Sequence, residues 1–280
     1  MHVVETIAEV RRLRHSLSGS WGLVPTMGYL HAGHLSLVQR ARAENDRVAV
    51  SIFVNPTQFG PSEDLATYPR DLPRDLELLR AADVDLVWAP SMNEMYPPGF
   101  QTYVTVEEVT RVLEGAARPG HFRGVATVVA KLFLVCQPDR AYFGQKDAQQ
   151  VVVVQQMTRD LGFPVQIVVC PTVREPNGLA LSSRNVYLTP EQRQAAPVLY
   201  RALRAAQEAW QRGEHDGERL RAVMLAVLSE EPLAQPEYVS AADLHTLQEL
   251  GDAGQGVLLS LAVRIGRTRL IDNIRLEAGK

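Results

Sequence analysis

Cysteine is scarce: Cys136 and Cys170 are the only two in 280 residues, and both stand in apolar stretches. That scarcity argues against a disulfide framework and for two buried thiols in a reducing compartment. Positive charge is not in excess either. The 29 Lys and Arg residues face 32 Asp and Glu, a formal net charge of -3. No nucleic-acid footprint follows from that balance, so any phosphate must be met by a local cluster suited to a small ligand. Apolar runs such as Val48 to Val54 are far too short to cross a bilayer, and no membrane partner is expected. The opening twenty residues carry Glu5, Glu9, Arg11, Arg12 and Arg14 without a long apolar core, which does not read as a secretory signal. A cytoplasmic protein is the expectation. The glycine fingerprint G-x-G-x-x-G is missing too, which argues against a nicotinamide-type dinucleotide site.

Hydrophobic residues make up 46% of the chain, ample for a sizeable core in one large domain or two ordinary ones. Strand patterns at Gly22–Pro25, Arg47–Val54, Leu86–Ala89, Ala141–Phe143 and Val165–Val169 alternate with helical patterns. The helical ones lie at Ile7–Ser16, Leu35–Ala43, Arg74–Ala82, Val125–Cys136 and Asp147–Leu161. Such alternation predicts an α/β fold, a Rossmann-like parallel sheet with helices on both faces, and ligands beyond the carboxyl ends of the strands. After Pro171 the texture changes. "PTVREPNGLALSSRNVYLTP" is rich in turn formers, and helical patterns then run over Glu191–Gln211 and Glu218–Ser229. Strands follow at Glu237–Ala242, Val257–Val263 and Thr268–Asn273. Two domains are expected: 1–176 around the parallel sheet, and a smaller α+β domain over 177–280.

Several stretches carry chemistry. His31-Ala-Gly-His34 lies where the first buried strand hands over to a helix, a natural anion site because free N–H groups and the helix dipole point outward there. A metal pair or two unrelated surface histidines are the competing readings, and a zinc site would need further ligands that do not stand nearby. Asn55 and Gln58 leave the next strand at its carboxyl end, where their amides suit a hydroxy-acid substrate or merely satisfy their own loop. Asp75 is either a solvated helix residue or a carboxylate for magnesium. Glu114, Arg118, His121 and Arg123 form a cluster among Gly115, Pro119, Gly120 and Gly124, which should break any long helix. That cluster is a loop-borne ligand contact or a plain surface pair. Gly144 ends a strand, Lys146 opens the following helix, and Gln150 lies one turn further on the same face. Leu181-Ser182-Ser183-Arg184-Asn185 is a basic serine loop suited to phosphate oxygens, though also ordinary turn composition.

In their order along the chain, "PTMGYLHAGH", "FVNPTQF", "YPRDLPRD", "GHFRGVATVVAKLF", "FGQKDAQQ" and "PTVREPNGLALSSRN" resemble the pantothenate synthetases, the pantoate–β-alanine ligases of the H-x-G-H nucleotidyltransferase superfamily. The resemblance covers nearly the whole chain. It implies ATP-dependent condensation of pantoate with β-alanine through a pantoyl adenylate, with magnesium as cofactor and a homodimer as the usual assembly. Met27, Gly28, Tyr29, Leu30, His31, Ala32, Gly33 and His34 would then contact ATP, with His34 as proton donor. Gly144, Gln145, Lys146, Asp147, Val173, Leu181, Ser182, Ser183 and Arg184 would complete the nucleotide site. Gln58 and Gln150 would hold pantoate, Asp75 would stand near the magnesium, and Glu114 and Arg118 would line and gate the cavity. Arg74 departs from the pattern, since relatives often carry a second acid there. Three rivals share the scaffold. One of them, a phosphate-accepting nucleotidyltransferase, would need a strongly basic acceptor pocket, whereas the amides of Asn55, Gln58 and Gln150 suit a hydroxy acid better. An aminoacyl-tRNA synthetase would need a tRNA-binding module that the length and charge do not offer. A non-catalytic nucleotide sensor would have no use for H-x-G-H, Lys146 and Arg184 together.

Overall fold

Trp21–Thr26 is buried along almost its whole length, as a strand covered on both faces must be. In the computed structural model, which describes residues 1–61 and 63–278, it is the second strand of a six-stranded sheet. The strands are β1 His2–Val4, β2 Trp21–Thr26, β3 Arg47–Ile52, β4 Leu86–Trp88, β5 Arg140–Gly144 and β6 Gln166–Cys170. Their order is β1-β4-β3-β2-β5-β6, and every pairing is parallel. The chain steps outward from β2 through β3 to β4 and then crosses to β5 on the other side of β2. The order therefore reverses between β2 and β5, the switch point at which open parallel sheets bind ligands. The edge strand β1 is the one the alternation does not announce, because three residues are too few to show a period.

Residues 121 to 136 correct the loop expected around the glycines. The helix His121–Cys136 starts directly after Gly120, which sits at a φ of 86°, and Gly124 lies inside it. A Cβ on Gly124 would come within 2.4 Å of the Thr57 carbonyl oxygen, so here glycine serves close backbone approach and not helix breaking.

The chain forms two compact units. The first comprises Met1–Thr110, Arg118–Gly144 and Gln150–Pro171, and the second Arg111–Ala117, Gln145–Gln149 and Thr172–Lys280. Val24, Leu37, Val38, Val50, Leu79 and Val87 are central to the core of the first. The second has an antiparallel sheet, β7 Ala234–Ala242, β8 Gly256–Ile265 and β9 Thr268–Glu277, in that order. Its core joins Leu199, Leu203, Leu220 and Met224 from two helices to Leu259 and Leu261 of β8. Each such side chain contributes about 1.5–3 kcal/mol on burial. The single helical pattern at 191–211 is two helices, Pro190–Ala195 and Val198–Gln211, parted near Pro197, which has no N–H to donate. Among the described residues, no helix is long and apolar enough to cross a membrane.

Candidate active site

The turn after β2 is held in an unusual backbone shape. Gly28 and Tyr29 both have positive φ, 81° and 51°, so consecutive N–H groups converge on one side. Asp75 fills that concavity: its carboxylate accepts the N–H groups of Tyr29 and Leu30, both at 2.7 Å. Arg74 donates to the Leu30 carbonyl at 3.0 Å and lies over the Tyr29 ring, clamping the turn from its other side. "YPRDLPRD" thus closes on "PTMGYLHAGH".

His31 is the N-cap of the helix Ala32–Glu44. Its Nδ1 accepts the Gly33 N–H at 3.1 Å, and the His34 Nδ1 accepts the His31 N–H at 3.4 Å. The rings lie 4.0 Å apart, tilted by 32°. With both Nδ1 atoms accepting, each neutral imidazole carries its proton on Nε2. Histidines here perform the reciprocal capping that Ser and Glu usually perform.

Asp75 is 1% exposed, which rules out the solvated helix residue. Burial pushes its carboxyl up, against the two N–H bonds that pull it down. Each oxygen accepts one backbone N–H, so the carboxylate holds the turn in place. Among the described residues, no group of three or more His, Cys, Asp and Glu is arranged to hold a metal ion. Arg74, the departure noted in the sequence, has a structural task in the turn.

After β3, Asn55 is also buried, at 1% exposure. Its Nδ2 donates to the Gln58 Oε1 and the Gly124 carbonyl, both at 3.1 Å, and its Oδ1 accepts from Tyr96 and Thr57 hydroxyls at 2.9 Å. Its amide is thus engaged by Thr57 and Gln58 of its own loop and by Tyr96 and Gly124 outside it, and through the Gln58 bond it orients that side chain. Gln58 remains half-buried, with its Nε2 against the Met27 sulfur at 3.1 Å. The His121 Nδ1 lies 2.8 Å from the Gln58 carbonyl oxygen, and Arg118 pairs with Glu63 at 2.6 Å. Arg123 stacks on Tyr103 at 3.9 Å. Gln150, also half-buried, makes no side-chain hydrogen bond with any described residue. A Cβ on Gly144 would meet no described atom within 4 Å, so no described residue requires glycine at that strand end.

The second unit carries the other predicted residues. Gln145–Asp147 is a single 3₁₀ turn, with Lys146 3.4 Å from its neighbour Asp147. Ser182 caps the short helix Ser183–Tyr187 by accepting the Arg184 N–H, and the Leu181 N–H closes on the Val173 carbonyl at 3.0 Å. Glu114 is buried and accepts two bonds from Arg269, at 2.6 and 2.8 Å, and one from the Tyr238 hydroxyl at 2.9 Å. Burial and the carboxylate push the Tyr238 hydroxyl well up, so it stays a donor. The partners Tyr96, Arg269 and Tyr238 carry no signal in the sequence. Gly124, a glycine inside an apolar helical pattern, does carry one.

Both cysteines are buried and free, and burial pushes the Cys136 thiol up to about 12 and raises Cys170 as well, so neither is an activated nucleophile.

The family model for pantoate-beta-alanine ligase matches residues 2–275. The chain belongs to the pantoate–β-alanine ligase family. The pantothenate synthetase of Chloroflexus aggregans is 69% identical over 274 residues, 98% of this chain and 99% of that one. That of Roseiflexus sp. (strain RS-1) is 67% identical over 278 residues, 99% of this chain and all of that one. The crystal structure of pantothenate synthetase from Thermus thermophilus superimposes with a TM-score of 0.95 at 53% identity, covering 99% of this chain and 100% of that one. A pantoate-beta-alanine ligase from Francisella tularensis, complexed with "Beta-gamma ATP and Beta-alanine", gives 0.83 at 39% identity, over 100% of this chain and 99% of its own. This pantoate–β-alanine ligase is therefore an enzyme that forms pantothenate from pantoate and β-alanine.

Proposed function

We propose that the ligase couples this condensation to ATP through a pantoyl adenylate, releasing AMP and pyrophosphate. The observation that carries the reading is the His31–His34 turn, where two imidazoles lie 4.0 Å apart at the N-terminus of a 13-residue helix. Donors and a helix dipole fixed before the reaction suit an anion whose charge shifts as a P–O bond breaks. The Francisella relative's ATP and β-alanine support the substrate set.

In the first half reaction a pantoate carboxylate oxygen attacks the α-phosphorus, and the bond to the β-phosphate oxygen breaks. His31, His34, Lys146 and Arg184 balance the charge of the triphosphate, with the surrounding turn residues 27 to 34, 144 to 147, 173 and 181 to 184 binding the nucleotide. Magnesium enters as the ion that ATP carries. Gln58 and Gln150 hold pantoate by amides that add no charge. In the second half the neutral amine of β-alanine attacks the acyl carbon, the bond to AMP breaks, and the amine loses a proton. No nucleophilic side chain is needed, and rate comes mainly from orientation. The reactive adenylate must be kept from water, and residues 177–280 are assigned the role of a lid. A cytoplasmic homodimer completes the reading.

Pantoate labelled with ¹⁸O in its carboxylate tests the mechanism. One label should pass to AMP, since the attacking oxygen stays on phosphorus when the amine expels AMP. Label found only in pyrophosphate would overturn the adenylate. A nucleotide sensor on this scaffold would form no β-alanine-dependent AMP at all.

A further inference from the structure

Strand β9 buries residues in alternation until Asp272 and Asn273, which are both buried, at 3% and 4% exposure. Neighbours in a strand point to opposite faces, so two polar side chains are withdrawn from water on two sides of one edge strand. Such burial is unfavourable unless every polar atom is met. Asn273 meets its requirement on a segment 128 residues away: its Nδ2 donates to the carbonyls of Gln145 at 3.0 Å and Lys146 at 2.8 Å, and its Oδ1 accepts from Gln145 Nε2 at 3.0 Å. Asp272 accepts two bonds from Arg174, at 2.5 and 2.8 Å. Arg174 in turn stacks on Tyr200 at 3.9 Å and donates to the Gly178 carbonyl, at the base of the hairpin that leads into Leu181 and Ser182. The Asn273 N–H donates to Asp272 Oδ1 at 2.8 Å, which ties the two arms together.

We infer that Asn273 is a positioning residue for the first half reaction: it fixes the backbone at Lys146 so that the ammonium stands where the triphosphate charge develops. Asp272, through Arg174, braces the neighbouring Leu181–Arg184 segment from the same strand. The inference rests on the nucleotide reading of Lys146 given above. It differs from a purely structural role in one respect. If Asn273 acts through Lys146, removing the ammonium must remove most of what Asn273 contributes to rate.

The test is a double-mutant cycle on the full chain, with pyrophosphate release from ATP and pantoate followed in single turnover. Lys146→Ala should slow that step about a hundredfold or more. Asn273→Ala should slow it about tenfold to a hundredfold, the scale of one or two lost buried hydrogen bonds. In the Lys146→Ala background, Asn273→Ala should cost less than about threefold further. Attack of β-alanine on pre-formed pantoyl adenylate, which needs no triphosphate cation, should be nearly unaffected. Equal losses on both backgrounds, or equal losses in both half reactions, would overturn the positioning role while leaving the nucleotide site intact. A Lys146→Ala variant with unaltered pyrophosphate release would overturn the nucleotide reading of Lys146, and the inference with it. Should Asn273→Ala not fold, Asn273→Ser runs the same cycle, since it removes both amide N–H donors without burying a charge.

Discussion

The turn after β2 and the segment after β5 are assigned the same task, yet they are built in opposite ways. Residues 28 to 34 hold one another: His31 and His34 exchange bonds with the backbone at Gly33 and His31, and Arg74 and Asp75 reach in from elsewhere. The Gln145–Lys146 backbone instead depends on Asn273, the last quarter of the chain folding back to hold it. A locally braced anion turn is ready as soon as its strand and helix form. A remotely braced one exists only when the second unit has folded, which makes its cation a natural point at which folding and activity are coupled.

His34→Ala should break the local brace with the largest effect. It removes an Nε2–H donor and the acceptor for the His31 N–H at once. Pyrophosphate release should fall about 10²–10³-fold, the range for losing one preorganised donor. Amine attack on pre-formed adenylate should hardly change, and equal losses in the two steps would refute the assignment. Asp75→Asn sharpens the comparison by touching a remote support of this turn. The new amide places an N–H₂ where the carboxylate accepts from Tyr29 or Leu30. One backbone N–H is then unmet, a loss of about 1–3 kcal/mol in urea unfolding. An unchanged unfolding midpoint would mean the turn does not need Asp75.

The same contrast explains what could be read before folding. The parallel sheet was legible because β2, β3, β5 and β6 are apolar runs separated by periodic helices, and the H-x-G-H turn because its partners are neighbours in sequence. Asp75 and Asn55 were legible as functional types but not as to task, because the deciding fact is burial: an acid with two N–H partners supports a turn, and a solvated one is free to bind a cation. Glu114 illustrates the limit. Its spacing to Arg118 suggests an i,i+4 pair and says nothing of Arg269, which lies 155 residues on and donates to it twice. Asn273 sits in an ordinary strand pattern, and nothing short of the fold identifies the carbonyls it meets.

Gly124→Ala probes the substrate side of the first unit. The added methyl would meet backbone, not a flexible side chain, at Thr57 and the Gln58 N. The loop must move, taking Gln58 with it, and overpacking of this kind costs about 1–3 kcal/mol. Stability and pantoate binding should fall together. Gln150→Ala should separate them, since its amide makes no hydrogen bond with any described residue. Pantoate should bind about tenfold to a hundredfold more weakly by calorimetric titration, with ATP affinity and unfolding unaltered. ATP binding falling as far as pantoate binding would move Gln150 to the nucleotide site.

The smallest effect compares the two units through acid. Glu63 in the first and Glu237 in the second are each pushed up by burial and pulled down further by arginine, Arg118 for the one and Arg269 with Arg264 for the other. Both carboxyls end below the usual range, so the unfolded chain binds their protons more readily than the folded one. Their stabilisation is complete above the unfolded value of about 4.3 and is lost as pH falls through the lower folded values. Asp272 and Asp75 run the other way, since burial outweighs their partners and raises both carboxyls, so acid favours the folded form at those sites. With side chains 23% and 26% exposed, solvent screens both pairs, and each contributes no more than about 1 kcal/mol. Urea midpoints taken from pH 7 down to about pH 3.5 should therefore decline, and Glu63→Gln or Glu237→Gln should each flatten part of that decline. If Glu63→Gln flattens it and Glu237→Gln does not, the Glu237 pair is not coupled to folding while the Glu63 pair is. A slope unchanged by both substitutions would mean that neither ion pair is coupled to folding in solution.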